Sequence, residues 1–142
     1  MQIRTYTDEA LPQELRLALL DFLYEHLEEF GDEKEDIALS LDYISSKGKG
    51  GHVLLAEEEG KLLGAVIVNK TGMTKYIPEN ILVYIATHNE ARGKGIGKKL
   101  MEETINRTSG SIALHCEPNN PAKHLYEKFG FTSKYLEMRL AR

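Results

Sequence analysis

The sequence predicts a single-domain α/β fold whose mixed, mostly antiparallel central sheet is covered by helices on both faces. Three observations support this fold class. Two segments with apolar residues at helical spacing follow a first short strand. Two strand-like runs joined by residues 58–61 then show the pattern of a β-hairpin. Further on, strands and helices alternate, and a helical crossover makes its two strands parallel neighbours. The predicted order is β-α-α-β-β-β-α-β-α-β.

The composition of the 142-residue chain is that of one globular domain spanning residues 1–142. Because no apolar run is long enough to cross a membrane and no signal-peptide pattern is present, we expect a cytoplasmic protein without a membrane partner. Cys116 is the single cysteine, which excludes an internal disulfide and a zinc site of cysteine pairs. The net charge of −4 argues against a nucleic-acid partner.

The first part of the chain contains one predicted strand, at residues 1–7, and two predicted helices. Pro12 suits the first turn of a helix, and Gly31 is expected to end it. Asp32 is expected to cap the second helix. Residues 45–51 predict a flexible loop. The apolar faces of the two helices consist of Leu15, Leu19, Phe22, Leu23, Leu27, Ile37, Leu41 and Ile44.

The remaining elements are bounded by glycine and proline. Short apolar runs predict strands at residues 52–57, 62–68, 81–87 and 112–116, and the apolar residues Tyr135, Leu136, Met138 and Leu140 predict a last strand at residues 135–140. Helices are predicted at residues 96–107 and from Pro121 to Phe129, and Gly130 is expected to end the second one.

A glycine-rich turn at residues 91–97 joins a predicted buried strand to the first turn of a helix. Gly95 and Gly97 let a ligand approach the backbone closely. The unpaired N–H groups and the dipole of a helix start attract an anion. Cationic side chains cluster at the same point, at Arg92, Lys94, Lys98 and Lys99. A pyrophosphate group is the expected ligand.

Two familiar phosphate loops fit this turn poorly. A kinase-type loop would need a glycine at Arg92 and a hydroxyl residue at Lys99. A dinucleotide fingerprint would need a third glycine at Lys98 and several further βα units, although Glu117 lies at a suitable distance. A dinucleotide-binding domain therefore stays open only as an alternative.

Two motifs resemble those of the GCN5-related N-acetyltransferases, the GNAT family. The pattern Arg92-x-x-Gly95-x-Gly97 resembles the family's acyl-coenzyme A pyrophosphate loop. The second motif follows a strand and reads Asn119-x-x-Ala122-x-x-Leu125-Tyr126-x-x-x-Gly130-Phe131. The resemblance covers residues 61–142, and it departs from the family at Thr87 and Asn89, where an aliphatic residue and a proline are common.

The resemblance implies transfer of the acetyl group of acetyl-coenzyme A to a primary amine of a small molecule or protein by direct attack, without a metal ion. Tyr126 would be the acid that protonates the departing thiolate. Backbone N–H groups around Ile85, Ala86 and Thr87 would stabilise the oxyanion. Asn119 and Ala122 would face the coenzyme. Backbone groups would hold the pyrophosphate from Arg92 through Gly93, Lys94, Gly95, Ile96 and Gly97 to Lys98.

Other assignments stay open. Glu79 is either the general base or a solvated turn acid. His88, Tyr84, His115 and Glu117 are further polar candidates. The acidic residues between Glu25 and Asp36 suggest a cationic acceptor, such as a polyamine, a lysine side chain or an amino sugar, or form only a solvated surface. The alternative function is a non-catalytic acyl-coenzyme A sensor. Dimerisation is common in the family, so a homodimer is compatible with the resemblance.

Overall fold

The computed structural model describes residues 1–45 and 48–142. Its elements alternate in the predicted order as far as the fourth helix. In chain order they are β1 (Gln2–Thr7), α1 (Gln13–His26), α2 (Lys34–Ser45), β2 (Gly51–Glu58), β3 (Lys61–Lys70), β4 (Asn80–Thr87), α3 (Ile96–Arg107), β5 (Ile112–Leu114) and α4 (Lys123–Lys128). Short 3-10 turns follow α1 and β4, at Glu28–Phe30 and Asn89–Ala91. The predicted loop at residues 45–51 includes Ser46 and Lys47, which lie outside the described residues.

The five strands form one sheet in the order β1-β2-β3-β4-β5. The first four strands pair antiparallel, and β2 and β3 form the predicted hairpin. The pairing of β4 with β5 is parallel, because α3 crosses over the sheet between them. The mixed, mostly antiparallel sheet of the sequence prediction is therefore confirmed.

Helices cover both faces of the sheet, and each face has its own apolar core. On one face α1 and α2 contribute buried residues such as Leu19, Leu23 and Ile37. On the other face α3 and α4 contribute Leu100 and Tyr126, among others. The central strands are buried on both sides, which explains why they appear in the sequence as continuous apolar runs rather than alternating ones.

The junction between α1 and α2 differs from the prediction. Helix α1 ends at His26, and a 3-10 turn separates it from Gly31. Asp32 does not cap α2, because the carbonyl of Glu33 accepts the first helical bonds and the Asp32 carboxylate accepts a hydrogen bond from Tyr84. The position of Asp32 just before α2 suggested a helix cap, but its carboxylate instead accepts a hydrogen bond from Tyr84 on the sheet.

The predicted final strand at residues 135–140 is wrong. No strand follows α4 in the described residues, and the apolar side chains of this segment are 78–89% exposed. Its alternating pattern indicates a strand only where a neighbour supplies hydrogen bonds and a packing surface. The predicted strand at 112–116 shrinks to the three residues of β5, so the available edge is short. None of the described helices is long and apolar enough to span a bilayer.

Gly64 on β3 lets α3 approach the sheet closely. A Cβ atom at this position would lie 2.6 Å from Cδ1 of Leu100 and 3.0 Å from Cγ2 of Ile96. Both contacts are shorter than van der Waals distances, and both side chains are buried. The absence of a side chain at Gly64 therefore fixes the depth at which α3, and with it the glycine-rich turn, sits on the sheet.

We expect Gly64→Ala to destabilise the fold by about 1–3 kcal/mol, because the added methyl overpacks a close helix–sheet contact. Gly97→Ala is the matched control, since its Cβ would meet its nearest neighbours at an ordinary 3.5 Å in a helical backbone. Urea unfolding of both variants measures the difference. Equal midpoints for the two variants would contradict the proposed role of Gly64.

Candidate active site

Strands β4 and β5 separate after a short paired stretch. Their parallel pairing joins Asn80 to Ile112 and ends where Leu82 faces Leu114. The β3–β4 register then skips Val83, which forms a bulge that bends β4. From residue 83 to residue 87, β4 has only β3 beside it among the described strands. The backbone of Ile85, Ala86 and Thr87 therefore lies on a part of β4 whose second edge is not covered by a described strand.

Asn80 stabilises the end of β4 that is paired with β5, and sequence reasoning missed it. Asn80 is only 2% exposed. Its side-chain amide donates hydrogen bonds to the carbonyls of Ser109, at 2.6 Å, and Ser111, at 3.2 Å. Its backbone N–H donates to Ser111 as well, at 3.1 Å. An asparagine at a strand start gives no sequence signal for such pairing, because its partners lie about thirty residues away along the chain.

The glycine-rich turn opens directly beside the end of β4. Gly93 and Gly95 have φ values of +82° and +79°, and a Cβ at either would meet nothing within 4 Å. A Cβ at Gly97 would lie 3.5 Å from Oγ1 of Thr87 on β4 and 3.5 Å from Cδ2 of Leu125 on α4. The turn, the open end of β4 and α4 thus converge at one place.

The start of α3 presents unpaired amides at this place. The first helical hydrogen bond runs from the N–H of Lys99 to the carbonyl of Gly95, at 3.1 Å. The N–H groups of Ile96, Gly97 and Lys98 precede it and have no helical partner. Lys94 and Lys98 are exposed beside them. The arrangement suits a pyrophosphate, and Gly97 favours this interpretation, because a glycine inside a helix costs about 1 kcal/mol and no protein contact requires it.

The side chain of Arg92 is directed away from the turn toward the end of α1. Its Nη2 donates to the carbonyl of His26 at 2.9 Å, and its guanidinium forms an ion pair with Glu28. The charge of Arg92, which the sequence analysis placed at the glycine-rich turn, is thus engaged at the end of α1. The backbone of Arg92, rather than its side chain, can then face a phosphate.

Tyr126 is buried on α4, with its ring edge-on to Phe131 at 6.1 Å between centroids. Burial, with a smaller effect from the neighbouring Cys116, raises the pKa of Tyr126 to about 12. The phenol therefore carries its proton at neutral pH. The adjacent Leu125 contacts the Gly97 position, so this helix lies against the glycine-rich turn.

The other residues of the second motif shape the turn before α4. Asn120, which the sequence analysis did not single out, accepts a hydrogen bond from the N–H of Ala122 at 2.9 Å. Ala122 is half-buried against the α3–α4 core, and Asn119 is exposed. Cys116 is half-buried and packs against the same core, as expected of a small apolar residue.

Glu79 lies just before β4, at the end opposite to the glycine-rich turn. One carboxylate oxygen accepts from the N–H of Ser111 at 2.9 Å, and the other accepts from the hydroxyl of Thr74 at 2.8 Å. These hydrogen bonds, the one from Ser111 foremost, lower the pKa of Glu79 to about 2. Such a carboxylate is a weak base at neutral pH, so the geometry favours the turn-acid interpretation.

On the face of β4 that α1 and α2 cover, the acidic residues surround an open pocket of about 600 Å³. Its lining includes Tyr24 and the carboxylates of Glu25, Glu28, Asp32, Glu33 and Asp36. The hydroxyl of Tyr84, in the middle of β4, donates to Asp32 at 2.5 Å. Burial and this hydrogen bond raise the pKa of Tyr84. The pocket therefore adjoins β4, the same strand whose backbone has an uncovered edge at residues 83–87. His115 and Glu117 are exposed and lie outside it.

Comparison with known proteins agrees with the geometry. Residues 49–133 match the acetyltransferase (GNAT) domain family. The chain is 32% identical over 84 residues to a 5-NmdU N-acetyltransferase of Pseudomonas phage PaMx11, and the match covers 58% of each chain. The chain therefore spans less than two thirds of the length of this curated relative.

Two solved structures share the fold. One is a transcriptional regulator from Bacillus halodurans C-125, with a TM-score of 0.70 and 21% identity over 98% of this chain and 100% of that one. The other is a ribosomal-protein-alanine N-acetyltransferase from Brucella melitensis biovar Abortus 2308, with a TM-score of 0.68 and 18% identity over the full length of both. Together with the mostly antiparallel five-stranded sheet, these likenesses define a mixed α/β domain. The chain belongs to the GNAT acetyltransferase family.

We expect Glu79→Gln to lower the melting temperature at neutral pH, because the amide loses acceptor strength toward Ser111 and Thr74. The pKa of Glu79 is lowered in the folded state, so its stabilisation is present above its ordinary value of 4.5 and is lost as the pH falls toward about 2. The difference from wild type should therefore shrink below pH 4.5 in thermal melts.

Glu102→Gln, on the exposed side of α3, is the control and should not change the melting temperature. The interpretation of Glu79 as a turn acid fails if the variant keeps its stability but loses the near-neutral limb of the pH–rate profile.

Proposed function

We propose that the protein transfers the acetyl group of acetyl-coenzyme A to a primary amine by direct attack. The observation that carries this proposal is the convergence of three elements: the start of α3 with its unpaired amides, the end of β4 with its unpartnered edge, and helix α4, which carries the protonated phenol of Tyr126. The first suits a pyrophosphate, the second a reacting carbonyl, and the third a departing thiolate.

Acetyl-coenzyme A supplies the thioester in this proposal, and the protein supplies position and charge. The amides of Ile96, Gly97 and Lys98 would hold phosphate oxygens at the positive end of the helix dipole. Backbone N–H groups on the open edge of β4 would stabilise negative charge on the carbonyl oxygen as the amine attacks. The phenol of Tyr126 keeps its proton at neutral pH and would donate a hydrogen bond to the departing thiolate, whose pKa of about 8.5, by analogy with cysteine, lies below that of the phenol.

The acidic pocket supports a cationic acceptor. An alkyl amine has a pKa of about 10.4 and arrives as an ammonium ion, which the carboxylates of Glu33 and Asp36 attract. The same carboxylates favour the protonated form. The reacting nitrogen would therefore have to lie outside the pocket, away from these carboxylates and near the open edge of β4, to lose its proton.

We expect Tyr126→Phe to lower kcat by about 10²-fold, the lower range for a positioned acid, and to leave the affinity for acetyl-coenzyme A nearly unchanged. Release of free thiol in single-turnover mixing measures the chemical step. Tyr135→Phe, at an 80% exposed tyrosine, is the matched control and should behave as wild type. Unchanged turnover in Tyr126→Phe would remove the phenol from the mechanism, and binding without thiol release in wild type would favour the sensor function.

Acceptors with two or more positive charges should be acetylated with a lower KM than neutral or anionic amines of similar size. Rising salt should erase this difference, because the pocket is open and its attraction is screened. We expect Asp36→Asn to raise KM for a polyamine and to leave kcat close to wild type, since the lost attraction acts before the chemical step. Glu102→Gln serves as the charge-matched control. A preference for neutral amines would contradict the proposed acceptor class.

A further inference from the structure

The end of α1 is attached to the segment that leads from β4 into the glycine-rich turn. His26, the last residue of α1, is 4% exposed. Its Nδ1 accepts a hydrogen bond from the backbone N–H of Asn89 at 3.2 Å, and its carbonyl accepts one from Arg92 at 2.9 Å. One residue therefore holds both ends of the segment at residues 89–92.

Aromatic and charged groups surround the ring of His26. Its centroid lies 4.1 Å from that of His88 and 4.6 Å from that of Phe22. The Nε2 atom lies 3.7 Å from a carboxylate oxygen of Glu25. The titratable and charged groups that face the ring are His88 from the β4–α3 connection, Glu25 from α1, Glu28 from the turn after α1, and Arg92 from the glycine-rich turn.

A second attachment runs in parallel to the first. Glu28 forms the ion pair with Arg92, and its backbone has a φ of +55°. A non-glycine residue in this left-handed region costs about 1–2 kcal/mol, which the surrounding contacts must offset. The conformation directs Glu28 toward Arg92, so the turn after α1 and the side chain of His26 act on the same segment.

We propose that His26 is a positioning residue for acetyl-coenzyme A binding: its neutral ring fixes the entrance to the glycine-rich turn, and protonation of the ring releases that entrance. The inference rests on the proposed function, because it concerns the same coenzyme site. It adds a pH-dependent control exerted from the opposite helical layer.

The chemical reason lies in the two ring nitrogens. Nδ1 accepts the Asn89 N–H only while it carries no proton, and a protonated ring has donors at both nitrogens. Two donors would then face each other inside a buried contact. Burial, with smaller effects from His88 and Arg92, lowers the pKa of His26, while the carboxylates of Glu25 and Glu28 oppose the shift.

The direction of the pH dependence follows from this shift. A histidine whose pKa is lowered in the folded state is neutral there at pH 7 and takes up its proton below its usual value of about 6.5. The hydrogen bond to Asn89 is therefore complete above that pH and is lost as the pH falls below it. Coenzyme affinity should fall over the same range.

The test compares dissociation constants for acetyl-coenzyme A, by calorimetry, over a pH series from 7.5 to 4.5 in wild type, His26→Asn and His26→Ala, because the pKa of His26 is shifted downward from its ordinary value of about 6.5. The side-chain oxygen of asparagine can take the place of Nδ1 as an acceptor and does not titrate in this range. We expect wild type to lose about fivefold more affinity on acidification than His26→Asn, the factor that one hydrogen bond of typical strength contributes. His26→Ala should already be weaker at pH 7.5, by a similar factor.

His52→Asn is the matched control. His52 is also buried, with a pKa lowered by burial, but it bonds the hydroxyl of Thr7. It lies on β2 opposite Val68, whose β4 partner is Leu82, whereas the glycine-rich turn follows Thr87. This variant should keep the wild-type pH dependence of binding, since protonation of His52 does not affect the coenzyme site.

The amide resonance of Asn89 gives a readout that does not need the coenzyme. In wild type its chemical shift should follow the titration of His26, and in His26→Asn it should not. Equal pH dependence of binding in wild type and His26→Asn, together with an Asn89 amide that does not titrate, would overturn the inference and leave the proposed function intact. If acetyl-coenzyme A binds no variant at any pH, the proposed function fails, and the Asn89 titration still decides whether His26 positions the segment.

Discussion

The early end of the β4–β5 pairing is the constraint on which the rest of the structure depends. Three residue pairs hold the two parallel strands together, and the buried Asn80 closes that end by donating to the carbonyls of Ser109 and Ser111. Beyond Leu82 the pairing with β5 stops, and Val83 forms a bulge in the pairing of β4 with β3. Unpaired backbone at a sheet edge normally invites another chain, and here the edge lies beside a helix start that also has unpaired amides.

The charges of the molecule are separated across this strand. The start of α3 and its lysines make one side of the open end attractive to anions. The turn between α1 and α2 collects carboxylates on the opposite face, and Tyr84 links them to the middle of β4. A negatively charged coenzyme and a positively charged amine would thus approach β4 from different faces, which reduces competition between them.

The two helical layers are also connected mechanically. Layers on opposite faces of a sheet usually communicate only through the sheet itself. Here the end of α1 contacts the β4–α3 connection through His26 and through the Arg92–Glu28 ion pair. The helix that lines the acidic pocket therefore touches the segment that leads into the glycine-rich turn.

The sequence by itself determined the fold class and the position of the candidate anion site. The hairpin, the strand–turn–helix unit and the two motifs are local patterns, and the backbone freedom of Gly95 and the apolar spacing of α3 are properties of neighbouring residues. Tertiary structure alone decided which side chains are engaged. Arg92 turns to α1, Glu79 is held by Ser111, and Asp32 accepts a bond from Tyr84 instead of capping α2. Each of these partners lies more than thirty residues away along the chain, and a local sequence pattern does not predict a contact between such distant residues. The final strand was wrong for the same reason, because alternation of side chains gives a segment the capacity to pair, and only a neighbouring edge in space makes it a strand.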